Sequence, residues 1–208
     1  MYLSLLKYIE EAQKDFVSIP EDRKNELQRL AGYIRSRLET NSPANLIFIC
    51  THNSRRSHLS HIWAATAASF YEVADNIFTF SGGTETTAFN PRAVAAVERA
   101  GFQVENPGGD NPHYLIRFSE KYPPIECFSK KYDDSPNPQE NFAAVMTCSH
   151  ADENCPFIPG AEFRQSVAYD DPKEADGTDE ETALYDERCL QIATEMFYLM
   201  LHVKNPQI

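Results

Sequence analysis

An α/β protein built on a parallel sheet is the fold class this sequence predicts, on three observations. Four short, continuous apolar runs stand out: Leu46–Cys50, Ile77–Phe80, Phe142–Thr147 and Gln165–Tyr169. Helical patterns separate them, as parallel strands covered on both faces require. Cys50, Ser81 and Cys148 fall at or just past the ends of three of the runs. Open α/β sheets bind their ligands at the carboxyl ends of the strands.

The elements follow in order. Residues 1–40 read as helical, with Ser18-Ile19-Pro20-Glu21 as a capping box and Leu27, Leu30, Ile34 and Leu38 at helical spacing. This arm is expected to pack on the domain as a helical pair. Asn41-Ser42-Pro43 breaks it before the first strand. Leu59, Ile62, Trp63, Thr66, Ala67 and Phe70 then give the next helix one apolar face. The second strand ends at Ser81-Gly82-Gly83. Asn90-Pro91 caps a helix that Gly101 terminates. Residues 106–140 are rich in Pro and Gly, with β-like runs at Tyr114–Phe118 and Ile125–Phe128, and are expected to form an inserted hairpin with loops. A C-terminal helix over Glu180–Val203 turns Leu184, Cys189, Ile192, Met196 and Leu199 inward. The chain divides into a helical extension, 1–42, and an α/β domain, 43–208, carrying the insertion.

Bulk properties exclude several functions. A chain of 208 residues with 42% apolar content buries a substantial core. Its net charge of −12 argues against nucleic acid or an anionic membrane as a partner. No run reaches transmembrane length, and the opening residues lack a signal-peptide pattern. Five cysteines, an odd number in a chain of this size, fit reduced thiols in the cytoplasm.

The most informative segment is Cys50-Thr51-His52-Asn53-Ser54-Arg55-Arg56-Ser57. A strand-to-helix turn aims backbone N–H groups and the positive end of the helix dipole at one point. Cys50 is therefore expected to act as a thiolate nucleophile on a tetrahedral oxyanion. Thr51, His52, Asn53, Ser54, Arg55 and Arg56 would surround that oxyanion, with Arg56 gripping it in a bidentate fork. Asn53 would hold the loop shape, and Ser57 would hydrogen-bond the thiolate. His58 and His61 follow within two helical turns and fit either the site or the surface.

Two further segments bear on chemistry. Asp170-Asp171-Pro172 follows the last strand, where proline holds Asp171 extended; it reads either as a simple turn or as the acid that protonates a leaving oxygen. Cys148-Ser149-His150-Ala151-Asp152-Glu153-Asn154-Cys155-Pro156 places two thiols in a polar loop. Its spacing is irregular for zinc, and thiol–disulfide exchange accounts for the pair better. No metal site and no cofactor are expected. Cys127 and Cys189 are expected to be structural.

These residues resemble the low-molecular-weight protein tyrosine phosphatase superfamily, and within it the thioredoxin-coupled arsenate reductase branch. The Cys50–Ser57 loop is similar to that family's phosphate-binding loop, Phe80-Ser81-Gly82-Gly83 to its second-strand signature, and Asn90-Pro91-Arg92-Ala93 to the helix start beyond it. Tyr169-Asp170-Asp171-Pro172 looks like the acid loop, and Val145–Pro156 like the redox segment specific to the reductases. The likeness covers residues 45–105 and 141–203. It implies a three-layer sandwich around a four-stranded parallel sheet. It also implies attack of Cys50 on arsenate with Asp171 as acid, a Cys50–Cys148 disulfide, its transfer to Cys148–Cys155, and reduction by thioredoxin. The alternative it leaves open is a phosphatase acting on phosphotyrosine or aryl phosphates through a phosphocysteine. The chain departs from the family pattern in having His52 in place of Gly, Arg55 in place of the reductases' Cys, and His61 where a potassium-site Glu often stands.

Overall fold

The computed structural model describes residues 1–154 and 157–207. The chain runs through α1 (Leu3–Lys14), α2 (Glu21–Glu39), β1 (Ala44–Cys50), α3 (Arg56–Phe70), β2 (Ile77–Gly83) and α4 (Pro91–Ala100). It continues through β3 (Gln103–Glu105), β4 (Tyr114–Arg117), β5 (Ile125–Cys127), β6 (Phe142–Met146), α5 (Ser149–Asn154), β7 (Ala161–Ser166) and α6 (Glu181–Lys204). Four strands form a parallel sheet in the order β2-β1-β6-β7.

Alternation along β1 divides the core. Leu46 and Phe48 enter the large apolar cluster with α1, α2, α3, α4 and α6. Ile47, Ile49 and Cys50 face a smaller cluster that includes Met146, Cys148, Ala151 and Ile158. The third layer is thus thin, made of the short α5 and neighbouring loops. Cys50 and Cys148 share it.

Several elements differ from the sequence reading. The Ser18–Glu21 capping box does not form: Ser18 closes a short 3₁₀ turn, and Pro20, its φ fixed by the ring, is the N-cap of α2 without a side-chain cap. The last strand pairs over Ala161–Ser166, earlier than expected. Its extended chain still follows β6, through Val167 N–H to Met146 O (2.9 Å) and Tyr169 N–H to Thr147 O (3.2 Å). The expected hairpin is the latter part of a three-stranded antiparallel sheet, β3-β4-β5, whose first strand precedes the insertion.

Helices α3 and α6 bury nearly all their faces rather than one stripe. The arm explains α6: Leu5, Ile9, Leu27, Leu30 and Ile34 are buried in the same cluster as Ile192, Met196 and Leu199. As expected, Asn90 caps α4 by accepting from Arg92 N–H (2.9 Å), and Gly101 takes the left-handed conformation at φ 107° that closes it. Among the described helices, none is long and apolar enough to cross a membrane.

Candidate active site

The loop from Cys50 to Arg56 joins the end of β1 to the first residue of α3, so it sits over a helix N-terminus with free backbone donors. Cys50 is 3% exposed. Its sulfur lies 3.1 Å from Ser57 Oγ, and Ser57 Oγ accepts from Asn53 Nδ2 at 2.9 Å. Asn53 is fully buried at φ 44°, a left-handed conformation that asparagine tolerates better than most residues. Its Oδ1 accepts from Lys130 N–H at 2.9 Å.

Other loop residues are tied down from outside. Ser54 Oγ donates to Ala88 O (2.8 Å), and Ser54 O accepts from Asn90 N–H (2.8 Å). His52 O accepts from Ser129 Oγ (3.0 Å) and Thr87 Oγ1 (3.2 Å), while the His52 ring reaches Glu85 (3.4 Å). Gly83 runs beneath: a Cβ there would lie 2.7 Å from Asn53 N and 2.8 Å from Thr51 O. Only glycine lets strand and loop approach so closely.

Both arginines meet the segment after β7. Arg56 donates to Tyr169 O (3.0 Å) and to Asp171 Oδ2 (2.6 Å), and its Nε is buried without a hydrogen-bond partner among the described residues. Arg55 donates to Tyr185 Oη (2.8 Å) and lies 3.6 Å from Asp176 and 3.8 Å from Asp171. Asp171 is extended, as its proline neighbour requires, and accepts from Lys173 N–H (3.1 Å). The reading of Asp170-Asp171-Pro172 as a turn alone misses this carboxylate, which stands against Arg56.

On the other side, Thr51 Oγ1 is 3.5 Å from Cys148 Sγ and 3.2 Å from His150 Nδ1. Cys148 is 1% exposed and its sulfur accepts from Ala151 N–H (3.4 Å). Cys50, Cys127, Cys148 and Cys189 are free thiols. Cys155 lies outside the described residues. Cys127 and Cys189 sit in the large core, Cys189 accepting from Trp63 Nε1 at 3.3 Å; burial pushes their thiols up, to about 12 and about 11.

A surface role for His58 or His61 is overturned. Both rings are buried where α3 packs on β2, His58 also against the Phe89 ring: His58 Nδ1 is 3.1 Å from Ser81 Oγ, and His61 Nδ1 2.9 Å from Thr79 Oγ1. Burial first, and the Lys130 charge second, lowers both pKa values, His61 to about 3. Among the described residues no group of three His, Cys, Asp or Glu side chains is placed to hold a metal ion.

A buried thiol beneath a helix N-terminus, an arginine whose Nε has no partner among the described residues, and a carboxylate 2.6 Å from that arginine are the groups that attack on an oxyanion would require. No protein-family model matches the chain. Individual proteins do. The arsenate reductase of Staphylococcus aureus strain Newman is 30% identical over 127 residues, spanning 61% of this chain and 77% of its own length. The arsenate reductase of Bacillus licheniformis is 29% identical over 141 residues, 67% of this chain and 82% of its own. The chain belongs to the family of these arsenate reductases.

Solved structures share the fold. A low-molecular-weight phosphotyrosine phosphatase from Vibrio cholerae O395 superimposes with a TM-score of 0.53 at 14% identity, covering 79% of this chain and 99% of the other. A YwlE mutant from Bacillus subtilis gives 0.50 at 13% identity, covering 78% and 99%. Other groups reach the loop that no local sequence pattern singles out. Ser129 and Lys130 brace the loop from the insertion, and Tyr185 on α6 holds Arg55. Contacts across 77 and 130 positions leave no local pattern.

Proposed function

We propose that this enzyme reduces arsenate to arsenite through Cys50 and a disulfide relay regenerated by thioredoxin. The observation that carries the reading is Cys148: its sulfur lies 3.5 Å from the side chain of Thr51, the residue after Cys50, and both thiols belong to one buried cluster. An isolated nucleophile needs no second thiol there. The arsenate reductases among its relatives support the same chemistry.

In this reading the Cys50 thiolate attacks arsenic, and the departing oxygen leaves as water after Asp171 protonates it. Arg56 and the loop amides hold the remaining oxygens; the unpaired Arg56 Nε is a donor ready for one of them. Cys148 thiolate then attacks Cys50 Sγ. The S–S bond forms, the S–As bonding pair stays on arsenic, and arsenic leaves two electrons richer as arsenite. Cys155 attacks Cys148 Sγ, releasing Cys50 as thiolate, and a dithiol of the thioredoxin class reduces the Cys148–Cys155 disulfide. Such a relay suits the cytoplasm.

Ser57 offers its hydroxyl hydrogen to Cys50 and stabilises it as nucleophile and as leaving group. Thr51, His52, Asn53 and Ser54 contribute the loop amides, and Arg55 acts through the Asp171 side of the site.

Hydrolysis of aryl phosphates is the second reading, favoured by Asp171: a carboxyl beside Arg56 is what ester cleavage needs. Arsenite production with thioredoxin, thioredoxin reductase and NADPH, measured beside aryl-phosphate hydrolysis, separates the two. Arsenite formation lost in Cys148→Ser and Cys155→Ser supports the relay, and hydrolysis without any arsenite formation supports the phosphatase.

A further inference from the structure

Behind the Cys50 loop lies a groove between α3, the outer edge of β2 and the insertion. It holds about 380 Å³, within the range of small-molecule sites. Phe80, Phe118, Ile125 and Phe128 give it an apolar lining. Lys130 also lines it, although the residue is only 6% exposed. Its ammonium stands 4.5 Å from the centre of the Phe128 ring and forms no salt bridge with a described residue.

Glu126 also lines the groove, but among the described residues no carboxylate forms an ion pair with Lys130. Burial lowers the Lys130 pKa, against the opposing pull of Cys127, Glu126 and Asp134. Glu126 is half exposed and paired with His113 at 2.9 Å. Nearby, His61 is neutral and engaged with Thr79, and His58 with Ser81. A largely buried ammonium held against an aromatic face, with no carboxylate on it, is costly to keep. A cleft that keeps one is poised for an anion.

We propose that this groove is a second ligand site, separate from the Cys50 loop, for a small amphipathic carboxylate. The aromatic or aliphatic body lies among Phe80, Phe118 and Phe128, and the carboxylate meets the Lys130 ammonium. One ammonium, with no arginine beside it to form a fork, matches a single negative charge rather than a phosphate. The two sites stand back to back. Lys130 joins them, because its N–H donates to Asn53 Oδ1 and its C=O accepts from Gly83 N–H, both at 2.9 Å.

Calorimetric titration of the full chain with 4-phenylbutyrate, and with the neutral 4-phenylbutanamide, tests this. The acid should bind with one equivalent and the amide about tenfold more weakly, the worth of one charged hydrogen bond. Lys130→Met, which keeps the main-chain bonds, should bring the two affinities together, and Ala65→Phe should fill the groove and remove both. No binding of the acid, equal binding of acid and amide, or a preference that survives Lys130→Met would overturn the proposal. Should Lys130→Met fail to fold, amide chemical shifts of the wild-type protein decide: perturbation centred on Ala65, Thr79 and Phe128 supports the site. Perturbation centred on residues 50–57 overturns it.

Discussion

Ser57 Oγ lies 3.1 Å from Cys50 Sγ, at the end of a chain of hydrogen bonds that begins in the insertion. Lys130 N–H can only donate, so the Asn53 atom facing it is Oδ1, and Nδ2 must face Ser57. Ser57 accepts that bond, and once Cys50 is a thiolate, which cannot donate, the hydroxyl hydrogen of Ser57 is the donor to the sulfur. The polarity of the nucleophile's environment is thus set from the insertion, through a main-chain group 77 positions away.

Removing that chain of bonds should slow catalysis without emptying the site. Ser57→Ala should lower turnover by about 10–100-fold, the value of one hydrogen bond to a charged group. Asn53→Ala should have a similar effect. Because the two act through one chain, Ser57→Ala/Asn53→Ala should be far less damaging than the product of the single losses. Steady-state kinetics of the three variants checks this, and full multiplicativity would mean independent roles.

Asp171 should matter in proportion to how badly the leaving oxygen needs a proton. Asp171→Asn should reduce phenyl phosphate hydrolysis by about 10²–10⁴-fold. The loss should be much smaller with p-nitrophenyl phosphate, whose leaving group needs little help. Equal losses on the two esters would assign Asp171 to positioning Arg56 alone.

His58 and His61 predict a stability that falls on mild acidification. Burial depresses both folded-state pKa values, His61 to about 3, whereas the unfolded chain titrates near 6.5. Below that value the unfolded state takes up protons that the folded state refuses. Stability present above pH 6.5 is therefore lost as pH falls, by about 1.4 kcal/mol per pH unit for each histidine. Urea midpoints at about pH 7, 6 and 5 measure the slope. His61→Gln should halve it, and a flat profile would contradict the buried neutral rings.

The helical arm of residues 1–42 should contribute to the core rather than hang from it. Leu30 is fully buried beside the α6 residues it covers, so Leu30→Ala should cost about 2–5 kcal/mol. Urea denaturation checks this, with near-normal turnover below the transition. A cost under about 0.5 kcal/mol, the range of surface changes, would make the arm an independent appendage.

Features encoded in adjacent residues were legible in the sequence. The apolar run ending on Cys50, the Asn90-Pro91 cap and Gly101 each carry their reason locally, and the structure places them as expected. The loop-to-helix turn is equally local, although the left-handed φ of Asn53 within it was not legible. What escaped depends on distant partners. β7 is an edge strand with half-buried residues, so its bounds shifted. β3 has three residues that take strand form only because β4 lies beside them. His58 and His61 become interior groups once α3 packs on β2. Ser129, Lys130 and Tyr185 reach the loop only in three dimensions.

The central claim is that Cys148 takes the oxidation from Cys50. The most direct measurement is arsenite production and aryl-phosphate hydrolysis assayed on the same preparations of wild type and Cys148→Ser, with thioredoxin, thioredoxin reductase and NADPH present. Cys148→Ser should lose multiple-turnover arsenite formation while keeping whatever aryl-phosphate hydrolysis the wild type shows. Sustained arsenite formation by Cys148→Ser at the wild-type rate would contradict the claim.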